Sequence, residues 1–351
     1  MSCCPGRAAR SSWTGRHSVL KKGRRIDFAR NAPLPMRGGV APSRVYLPKG
    51  PWATLLDFLV ERFRHVPPIV LQGRLERGEI VDEAGVPQSP DSSYTGLRWL
   101  WYYREVPQEA DVPFDLPVLY RDRYLVAVDK PHFLASTPGG RYLRETALTR
   151  LRLALDMPLL SPIHRLDRDT AGVLLFCADP ESRGAYQALF QSREVRKEYE
   201  ALAPPSGDVV LPLLRRSLIQ PRPGHFTMQE VDGEPNSETH IELVEESGGL
   251  GLFRLRPHTG RKHQLRVHMS GLGMPICNDN FYPELKAYAE SDDFSRPLQL
   301  LARSIEFTDP VCGRKRRFES LRRLGGRSQA SPGANGLPSR HDGLRCPATG
   351  R

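Results

Sequence analysis

The segment best suited to chemistry is residues 164–172, which read HRLDRDTAG and lead directly into the apolar run VLLF. Asp167 has Arg165 and Arg168 within three positions, and neighbouring cations favour the ionised form of a carboxyl group. An ionised carboxylate placed before a buried strand serves either in a loop salt bridge or as a nucleophile or general base in a reaction. Spacing alone leaves these alternatives open, so a second segment has to decide between them.

That second segment is residues 254–268, which read RLRPHTGRKHQLRVH. Pro257 should end a strand, Thr259 is suited to cap a helix, and the helix is expected to begin near Arg261. Backbone N–H groups at that helix start, together with Arg261 and Lys262, would suit a phosphate group. The segment therefore predicts contact with a ligand that carries phosphate.

The histidines and cysteines indicate neither a metal site nor a redox site. His258, His263 and His268 recur every five residues, which places them about 140° apart around a helix, so they cannot converge on one metal ion. No CxxC spacing suggests zinc or a redox couple, and we expect reduced thiols in a cytoplasmic protein. The cysteines are adjacent near the N-terminus and scattered elsewhere: Cys3, Cys4, Cys177, Cys277, Cys312 and Cys346.

Length and composition indicate a globular protein with room for two domains. The chain has 351 residues, of which 39% are hydrophobic and 26% charged, so it can hold one large domain and a small one. No apolar run approaches the ~18 residues of a transmembrane helix. The N-terminus shows no apolar segment followed by a cleavage site, so we expect neither membrane insertion nor secretion.

The net charge of +11 is concentrated at the two ends of the chain. Residues 1–45 contain ten lysines and arginines and one acidic residue, residues 321–351 contain six arginines and one acidic residue, and residues 46–320 sum to −3. Both ends lack sustained periodicity, so we expect basic, unstructured tails over residues 1–46 and 321–351. Each tail is either a solvated extension or an arm that grips a polyanion, and Met36 is an alternative start of the protein.

A small α+β module is predicted over residues 47–111. Leu55 and Leu59 stand at helical spacing, and short strands are expected at residues 78–81 and 97–103. The second of these strands carries the run WLWYY, whose aromatic side chains favour core packing over base stacking.

Residues 112–320 are predicted to form the main domain. Strands and helices follow one another irregularly there, which argues against a Rossmann-type parallel sheet and favours an α+β fold with a mixed, mostly antiparallel sheet and flanking helices. The basic run RKRR at residues 314–317 is expected to be a solvated strand end or a phosphate contact. The predicted strands are residues 124–129, 173–177, 197–202 and 251–257, and the predicted helices are residues 146–155 and 180–191.

Five segments together resemble the RluA-type pseudouridine synthases, which isomerise specific uridines in RNA. Residues 164–172 are similar to the family signature HRLDxxTSG, and TGRKHQLR at residues 259–266 is similar to TGRxHQIR. The order of the segments implies the family's catalytic fold over about residues 113–320, and residues 47–111 stand where many members carry an S4-like RNA-binding module. The other three segments are DKP at 129–131, similar to an Asn-Lys-Pro turn, KEY at 197–199, similar to a Lys-x-Tyr strand, and GMPICNDNFY at 273–282, similar to GxPIxGDxxY.

Three positions depart from the family pattern. Ala171 replaces the serine of the first signature, Asn278 replaces a glycine, and Leu301 stands where many members have a histidine. Asparagine tolerates a positive φ better than most residues that replace a glycine. We therefore expect packing or turn variants and no loss of chemistry.

The resemblance implies roles for three residues in the reaction. Asp167 would break the bond between N1 of the target uracil and C1′ of its sugar, either as a nucleophile or as a base, and the freed uracil would rejoin through C5. Tyr199 would stack on the uracil and assist loss of the C5 proton. Arg266 would pair with Asp167 and hold it ionised and oriented.

The resemblance also implies RNA, either rRNA or tRNA, as the partner of a monomer that needs no metal or cofactor. Arg165 would contact the RNA and help to fill the gap left by the flipped nucleotide. Two alternatives stay open: a catalytically silent RNA-binding or ribosome-assembly protein on the same fold, and a glycoside hydrolase with Asp169 as its second carboxylate. The predicted RNA-binding residues are Arg165, Arg168, Lys197, Arg261, Lys262 and His263.

Overall fold

The chain folds into a three-stranded sheet and an eleven-stranded sheet, each accompanied by helices. The structure is a computed structural model, which describes residues 32–105, 109–286 and 293–325. Most of the two predicted tails, residues 1–31 and 326–351, lies outside the described residues.

The small module contains the helix and both strands that its sequence predicts. Helix α1 begins with a capping box, in which the backbone N–H of Asp57 donates to Oγ1 of Thr54 at 3.2 Å and the backbone N–H of Thr54 donates to Asp57 at 2.9 Å. Helix α2 and strand β1 are additional to the prediction. The elements are β1 (Ser43–Leu47), α1 (Leu55–Arg62), α2 (Pro68–Glu76), β2 (Ile80–Val81) and β3 (Arg98–Tyr102), and the antiparallel sheet has the order β1-β3-β2.

The aromatic run of β3 only partly follows the prediction of core packing. Leu100 and Trp101 are buried. Trp99 is half-buried, with the guanidinium of Arg44 4.0 Å from its ring centroid and the ring of Tyr46 at 5.0 Å. Since side chains alternate across a strand, Leu100 and Trp99 lie on opposite faces of this sheet.

The large sheet is mixed and mostly antiparallel, which confirms the predicted fold class. Within the described residues β7 and β13 pair in parallel, and the other strand pairs are antiparallel. The strand order is β10-β9-β11-β12-β8-β13-β7-β5-β4, with β14 on β13 and β6 on β7. The elements are β4 (Val118–Arg121), β5 (Leu125–Lys130), α3 (Ala147–Ala154), β6 (Ser161–Pro162), β7 (Ala171–Cys177), α4 (Arg183–Gln191), β8 (Arg196–Ala203), β9 (Leu213–Pro221), β10 (Met228–Val231), β11 (Ser237–Ser247), β12 (Leu250–Pro257), α5 (Gln264–Gly271), β13 (Leu300–Thr308) and β14 (Lys315–Glu319).

The centre of the large sheet brings distant motifs together. Ala302 of β13 is the register partner of Tyr199 on β8 and of Gly172 on β7. Gly172 has a φ of 111°, and a Cβ there would lie 2.2 Å from the carbonyl oxygen of Ala302, so only glycine allows the two strands to approach. Tyr199 therefore lies two strands away from the end of the Asp167 segment.

The departures from the family pattern have local explanations. Ala171 and Leu301 are buried register partners in the parallel β7–β13 pair, so the changes at these two positions leave an apolar pair in contact. Asn278 has a φ of 59°, and its side-chain amide donates to the carbonyl oxygen of Pro297 at 3.0 Å. The expectation that asparagine supports this turn is confirmed.

The expectation of unstructured tails is wrong where the tails meet the domains. Residues 43–46 belong to β1, which pairs with β3. On the C-terminal side, the backbone N–H of Leu321 donates to Asp129 at 2.8 Å and the guanidinium of Arg322 lies 3.4 Å from the same carboxylate. In the described ranges no helix is long and apolar enough to cross a bilayer.

Candidate active site

The loop that carries Asp167 is fixed by the turn that follows β5. The hydroxyl of Ser136 donates to the carbonyl oxygen of Leu166 at 2.7 Å. Nζ of Lys130 donates to the carbonyl oxygen of Arg168 at 2.9 Å, and Nδ1 of His132 lies 2.7 Å from the carbonyl oxygen of Asp169. These three contacts hold the backbone on both sides of Asp167, so its position is set by residues about 30 to 40 positions earlier in the chain.

Lys130 is the most buried of these supports. Its ammonium group is fully enclosed and also donates to the carbonyl oxygens of Pro131 and Leu134 at 2.8 Å. Burial lowers its pKa to about 7, against the opposing charge of Asp169. Lys130 is not among the site residues predicted from the sequence, although the family-like DKP turn contains it.

Arg266 on α5 is the buried cation beside Asp167. Its Nη1 lies 3.7 Å from Oδ2 of Asp167, whose side chain is 31% exposed, while the Arg266 side chain is 1% exposed. The predicted pairing of the two side chains is thus present as an ion pair. The guanidinium makes its hydrogen bonds elsewhere: Nε and Nη2 donate to the two oxygens of Asp279 at 2.8 and 2.6 Å.

Asp279 is the residue that fixes this guanidinium. It is itself 1% exposed, and Oδ1 also accepts the backbone N–H groups of Phe281 at 2.8 Å and Tyr282 at 3.2 Å. Burial alone would lower the pKa of Arg266, but the hydrogen bonds and charge of Asp279, reinforced by the charge of Asp167, raise it. Arg266 is therefore a permanent cation, and it directs Nη1, which is buried and has no hydrogen-bond partner within the described part of the chain, towards Asp167.

Tyr199 borders the same small pocket as Asp167 and Arg266. This pocket has a volume of about 110 Å³, and Leu265 and Leu300 supply apolar walls. Burial, and secondarily the charge of Asp167, raises the pKa of Tyr199. The phenol is consequently protonated near neutral pH and is suited to stack or to donate a hydrogen bond.

A basic cleft of about 840 Å³ opens beside this pocket. Its cations face a single acidic lining residue, Asp167, so the cleft attracts anions even though residues 46–320 carry a net negative charge. Five of the six predicted RNA-binding residues line it, and Arg193 is an addition. The cations that define the basic cleft are Arg165, Arg168, Arg193, Lys197, Arg261 and Lys262.

Intramolecular contacts orient several of these cations. Nζ of Lys197 donates to the carbonyl oxygen of Thr259 at 2.9 Å, and burial lowers its pKa to about 8. Nε of Arg261 donates to the carbonyl oxygen of Asn236 at 3.1 Å. Arg168 pairs with Asp169 at 3.2 Å. Each of these side chains is therefore positioned before any ligand binds.

His263 occupies a different place from the other predicted RNA-binding residues. It is buried, its Nδ1 lies 2.8 Å from the hydroxyl of Tyr282, and it lines the small pocket. Burial lowers its pKa to about 4, so the ring is neutral near pH 7. It also precedes α5 in a left-handed conformation, with a φ of 56°.

The start of α5 corrects two details of the prediction. The helix begins at Gln264, three residues after Arg261. The hydroxyl of Thr259 donates to Oε1 of Gln264 at 2.7 Å and does not cap the helix, and the backbone N–H of Arg261 donates to the same oxygen at 3.0 Å. One of the N–H groups expected to meet a phosphate is thus already occupied.

Two further predictions concern charged clusters. In residues 32–105, 109–286 and 293–325, no group of three or more histidine, cysteine or acidic residues could hold a metal ion. In the basic run at 314–317, Arg316 pairs with Asp122 and Asp309 at 3.1 Å, and Arg317 pairs with Glu319. Arg316 therefore supports the fold of the sheet, whereas Arg317 and Glu319 form an exposed pair that contributes little to stability.

Comparisons with known proteins show which family the chain resembles. The family model described as RNA pseudouridylate synthase matches residues 124–271, a range that contains Asp167, Tyr199 and Arg266. An uncharacterized RNA pseudouridine synthase of Synechocystis sp. is 30% identical over 232 residues, covering 65% of this chain and 79% of that protein. The dual-specificity RNA pseudouridine synthase RluA of Yersinia pestis is 33% identical over 210 residues, covering 58% of this chain and 97% of that protein. Among solved structures, human RNA pseudouridylate synthase domain containing 1 is similar over 61% of this chain and 86% of that chain, with 24% identity and a TM-score of 0.49.

Proposed function

Because the chain belongs to the RluA-type family of RNA pseudouridine synthases, we propose that Asp167, Tyr199 and Arg266 isomerise uridine to pseudouridine in the small pocket. The observation that carries the proposal is the Asp167 carboxylate, which lies 3.7 Å from a buried guanidinium and at the border of the basic cleft. The substrate is a structured RNA, rRNA or tRNA, whose phosphates lie along the cleft.

The reaction replaces one bond to the sugar by another. Asp167 acts on the target nucleotide, the N1–C1′ bond breaks, the uracil turns within the pocket, and a C5–C1′ bond forms. The proton on C5 is lost and N1 gains one, so the product has the same atoms as the substrate and no electrons are gained or lost. The step therefore requires no redox cofactor.

Arg266 supports this chemistry from behind the carboxylate. Its guanidinium, a permanent cation, lies 3.7 Å from Oδ2 of Asp167 and complements the negative charge of the carboxylate that acts on the nucleotide. Since Asp279 takes both hydrogen bonds of the guanidinium, Arg266 lends its charge and leaves the oxygens of Asp167 available to the nucleotide.

Tyr199 provides the aromatic wall against which the uracil turns. Its raised pKa makes the neutral phenol the reacting form near pH 7. We therefore assign Tyr199 to stacking and hydrogen-bond donation, and removal of the C5 proton to a group other than a free phenolate.

The basic cleft binds the RNA around the flipped uridine. Arg165 is exposed and lines both the basic cleft and the small pocket, so it can contact a phosphate and occupy the space that the flipped nucleotide leaves. The three catalytic side chains come from one chain, which supports a monomer, and we further propose that this monomer acts in the cytoplasm. We also assign the small module at 47–111 to RNA binding outside the catalytic domain at 112–320.

The deciding experiment maps pseudouridine in total RNA from cells with and without the gene, complemented by the wild type, Asp167→Asn or Asp208→Asn. Asp208 is an exposed aspartate outside the site and is the matched control. We expect a gene-dependent pseudouridine that the wild type and Asp208→Asn restore and Asp167→Asn does not. If Asp167→Asn restores the pseudouridine, the catalytic assignment is wrong and a catalytically silent RNA-binding protein becomes the better interpretation. Release of free uracil from RNA would indicate a hydrolase.

A further inference from the structure

Asp167 also lines a second cleft, which adjoins the basic cleft. This aromatic cleft has a volume of about 800 Å³, close to that of the basic cleft. It shares Asp167 and Arg168 with the basic cleft, so a chain that crosses Asp167 can lie in both. The residues that define the aromatic cleft here are Tyr142, Arg168, Phe226, Phe281, Lys286 and Arg296.

Phe226 is the most unusual residue of the aromatic cleft. It stands in the turn between β9 and β10, and 51% of it is exposed. Its ring meets Phe281 edge to face, at 4.7 Å between centroids and an interplanar angle of 83°. Nζ of Lys262 donates to the carbonyl oxygen of Phe226 and lies 5.6 Å from its ring centroid. Although Phe281 lies perpendicular to it and Lys262 lies over its ring, half of Phe226 stays exposed, which leaves ring surface open to a stacked base.

Phe281 links this ring to the catalytic residues. It stacks on His263, at 5.7 Å and 25°, and the guanidinium of Arg266 lies 4.4 Å from its centroid. The aromatic surface thus runs from Arg266 through Phe281 to Phe226. A base bound on Phe226 would lie next to a uracil bound at Asp167.

The charges around the cleft suit a phosphate. Lys286 and Arg296 are exposed lining residues, and a third lining cation, Arg168, pairs with the lining carboxylate of Asp169 at 3.2 Å. Asp293 also lines the cleft, but its carboxylate accepts the hydroxyl and the backbone N–H of Ser295 at 2.5 and 3.0 Å. Aromatic faces combined with cations are the surface that single-stranded nucleic acids prefer.

We propose that the aromatic cleft binds the nucleotide adjacent to the target uridine, with its base stacked on Phe226 and its phosphate near Lys286 and Arg296. This inference rests on the proposed function and narrows its substrate. Since a base that stacks on protein must leave its own helix, the preferred RNA has an unpaired neighbour beside the target, as in a hairpin loop. Phe226 is then a specificity residue that takes no part in bond breaking.

A binding experiment tests the stacking directly. The probe is a fluorescein-labelled RNA stem-loop with one uridine in a loop of adenosines, and two versions carry an abasic site on the 5′ or the 3′ side of that uridine. Every protein in this experiment carries Asp167→Asn. Kd is measured with Phe226 unchanged, with Phe226→Ala and with Phe226→Tyr. Leu214→Ala is the control, because Leu214 is an exposed apolar residue of strand β9, which precedes the turn that carries Phe226.

We expect the abasic site on one side to weaken binding on the order of tenfold with Phe226 present. Phe226→Ala should weaken binding of the intact loop to a similar extent and should remove the penalty of that abasic site, while Phe226→Tyr and Leu214→Ala retain it. If each abasic site, 5′ or 3′ of the uridine, weakens binding equally with Phe226 present and with Phe226→Ala, the inference is overturned.

The result is separable from the proposed function. One outcome is that the wild type forms pseudouridine while Phe226→Ala and the abasic site weaken binding independently of each other. In that case the aromatic cleft binds no neighbouring base and the catalytic proposal stands. If Phe226→Ala removes the penalty of the abasic site but no RNA gains pseudouridine, the stacking proposal stands and the catalytic proposal fails. Thermal unfolding of Phe226→Ala is the folding check, and it should match that of Leu214→Ala because both side chains are exposed.

Discussion

The two sides of Asp167 are built in opposite ways. Behind it, Arg266 and Asp279 are each 1% exposed and joined by two hydrogen bonds. In front of it, Arg165, Arg261 and Lys262 are exposed at the wall of the basic cleft. The buried side can position one carboxylate through a guanidinium that solvent does not reach, whereas the exposed side can only attract and hold a large anion.

This contrast separates two kinds of effect. A change on the buried side should alter the reaction rate and the folding stability together, because removal of one partner leaves a buried charge uncompensated. A change on the exposed side should alter affinity and its salt dependence and leave folding intact.

The largest effect is expected for Asp279→Asn on the buried side. Asparagine keeps the shape of the side chain but removes the charge that compensates Arg266, so we expect a loss of about 3–5 kcal/mol in the free energy of unfolding. We also expect at least a hundredfold loss of kcat, because the guanidinium that orients Asp167 is released. Denaturant unfolding and single-turnover pseudouridine formation measure the two effects.

Asp309→Asn is the matched control for this variant. Asp309 is a 1% exposed aspartate that pairs with Arg316 at 3.1 Å and accepts the backbone N–H of Val311, but it lines none of the clefts around Asp167. It should lose stability like Asp279→Asn while the folded fraction keeps its kcat. If Asp279→Asn also keeps kcat per folded molecule, Asp279 supports only the fold.

An intermediate effect is expected from Lys197, which lies between the two sides. Burial lowers its pKa to about 8, so it is charged at pH 7 and loses its charge as the pH rises through 8. RNA affinity of the wild type should therefore fall between pH 7 and 9, on the order of tenfold, while Lys197→Arg stays charged and falls less. Fluorescence anisotropy at constant ionic strength measures both.

The comparison with Lys197→Arg also removes the contribution of Lys130, whose pKa of about 7 is common to the two proteins. The free energy of unfolding should rise over the pH range in which RNA affinity falls. The unfolded lysine titrates near 10.4, so the unfolded state binds more protons between pH 8 and 10 and the wild type gains stability there. If RNA affinity depends on pH in the same way in the wild type and in Lys197→Arg, Lys197 does not contact the RNA.

What the sequence could predict follows from how local each feature is. The Asp167 segment, its partner Arg266 and the mixed sheet follow from motifs and their order along the chain. The supports Ser136 and Lys130 could not be predicted as such, because they reach Asp167 across 30 and 38 positions and a buried lysine has no distinctive local pattern. Asp279 lies in the family-like segment at 273–282, but its hydrogen bonds to Arg266 exist only after folding.

The start of α5 shows a different reason for error. Thr259 and the basic run after it have the composition of a helix start, and this pattern placed the start near Arg261. In the fold His263 adopts a left-handed conformation and the side chain of Gln264 takes the N–H of Arg261, so the helix begins later. Such a competition between side-chain and backbone hydrogen bonds is decided by tertiary packing around His263 and Tyr282.

The smallest effect is expected for Arg261→Gln, on the exposed side. One phosphate contact contributes about 0.7 to 0.9 to the slope of log Kd against log salt concentration, so the slope should fall by that amount and Kd should rise a few-fold at physiological salt. Arg314→Gln is the control, since Arg314 is an exposed arginine of the other basic run, outside the clefts around Asp167, and it should leave the slope unchanged. Neither variant should change kcat or the free energy of unfolding. An equal change of slope in both variants would mean that RNA binds over the whole basic surface. A fall in kcat for Arg261→Gln would mean that the exposed side of Asp167 also controls the reaction rate.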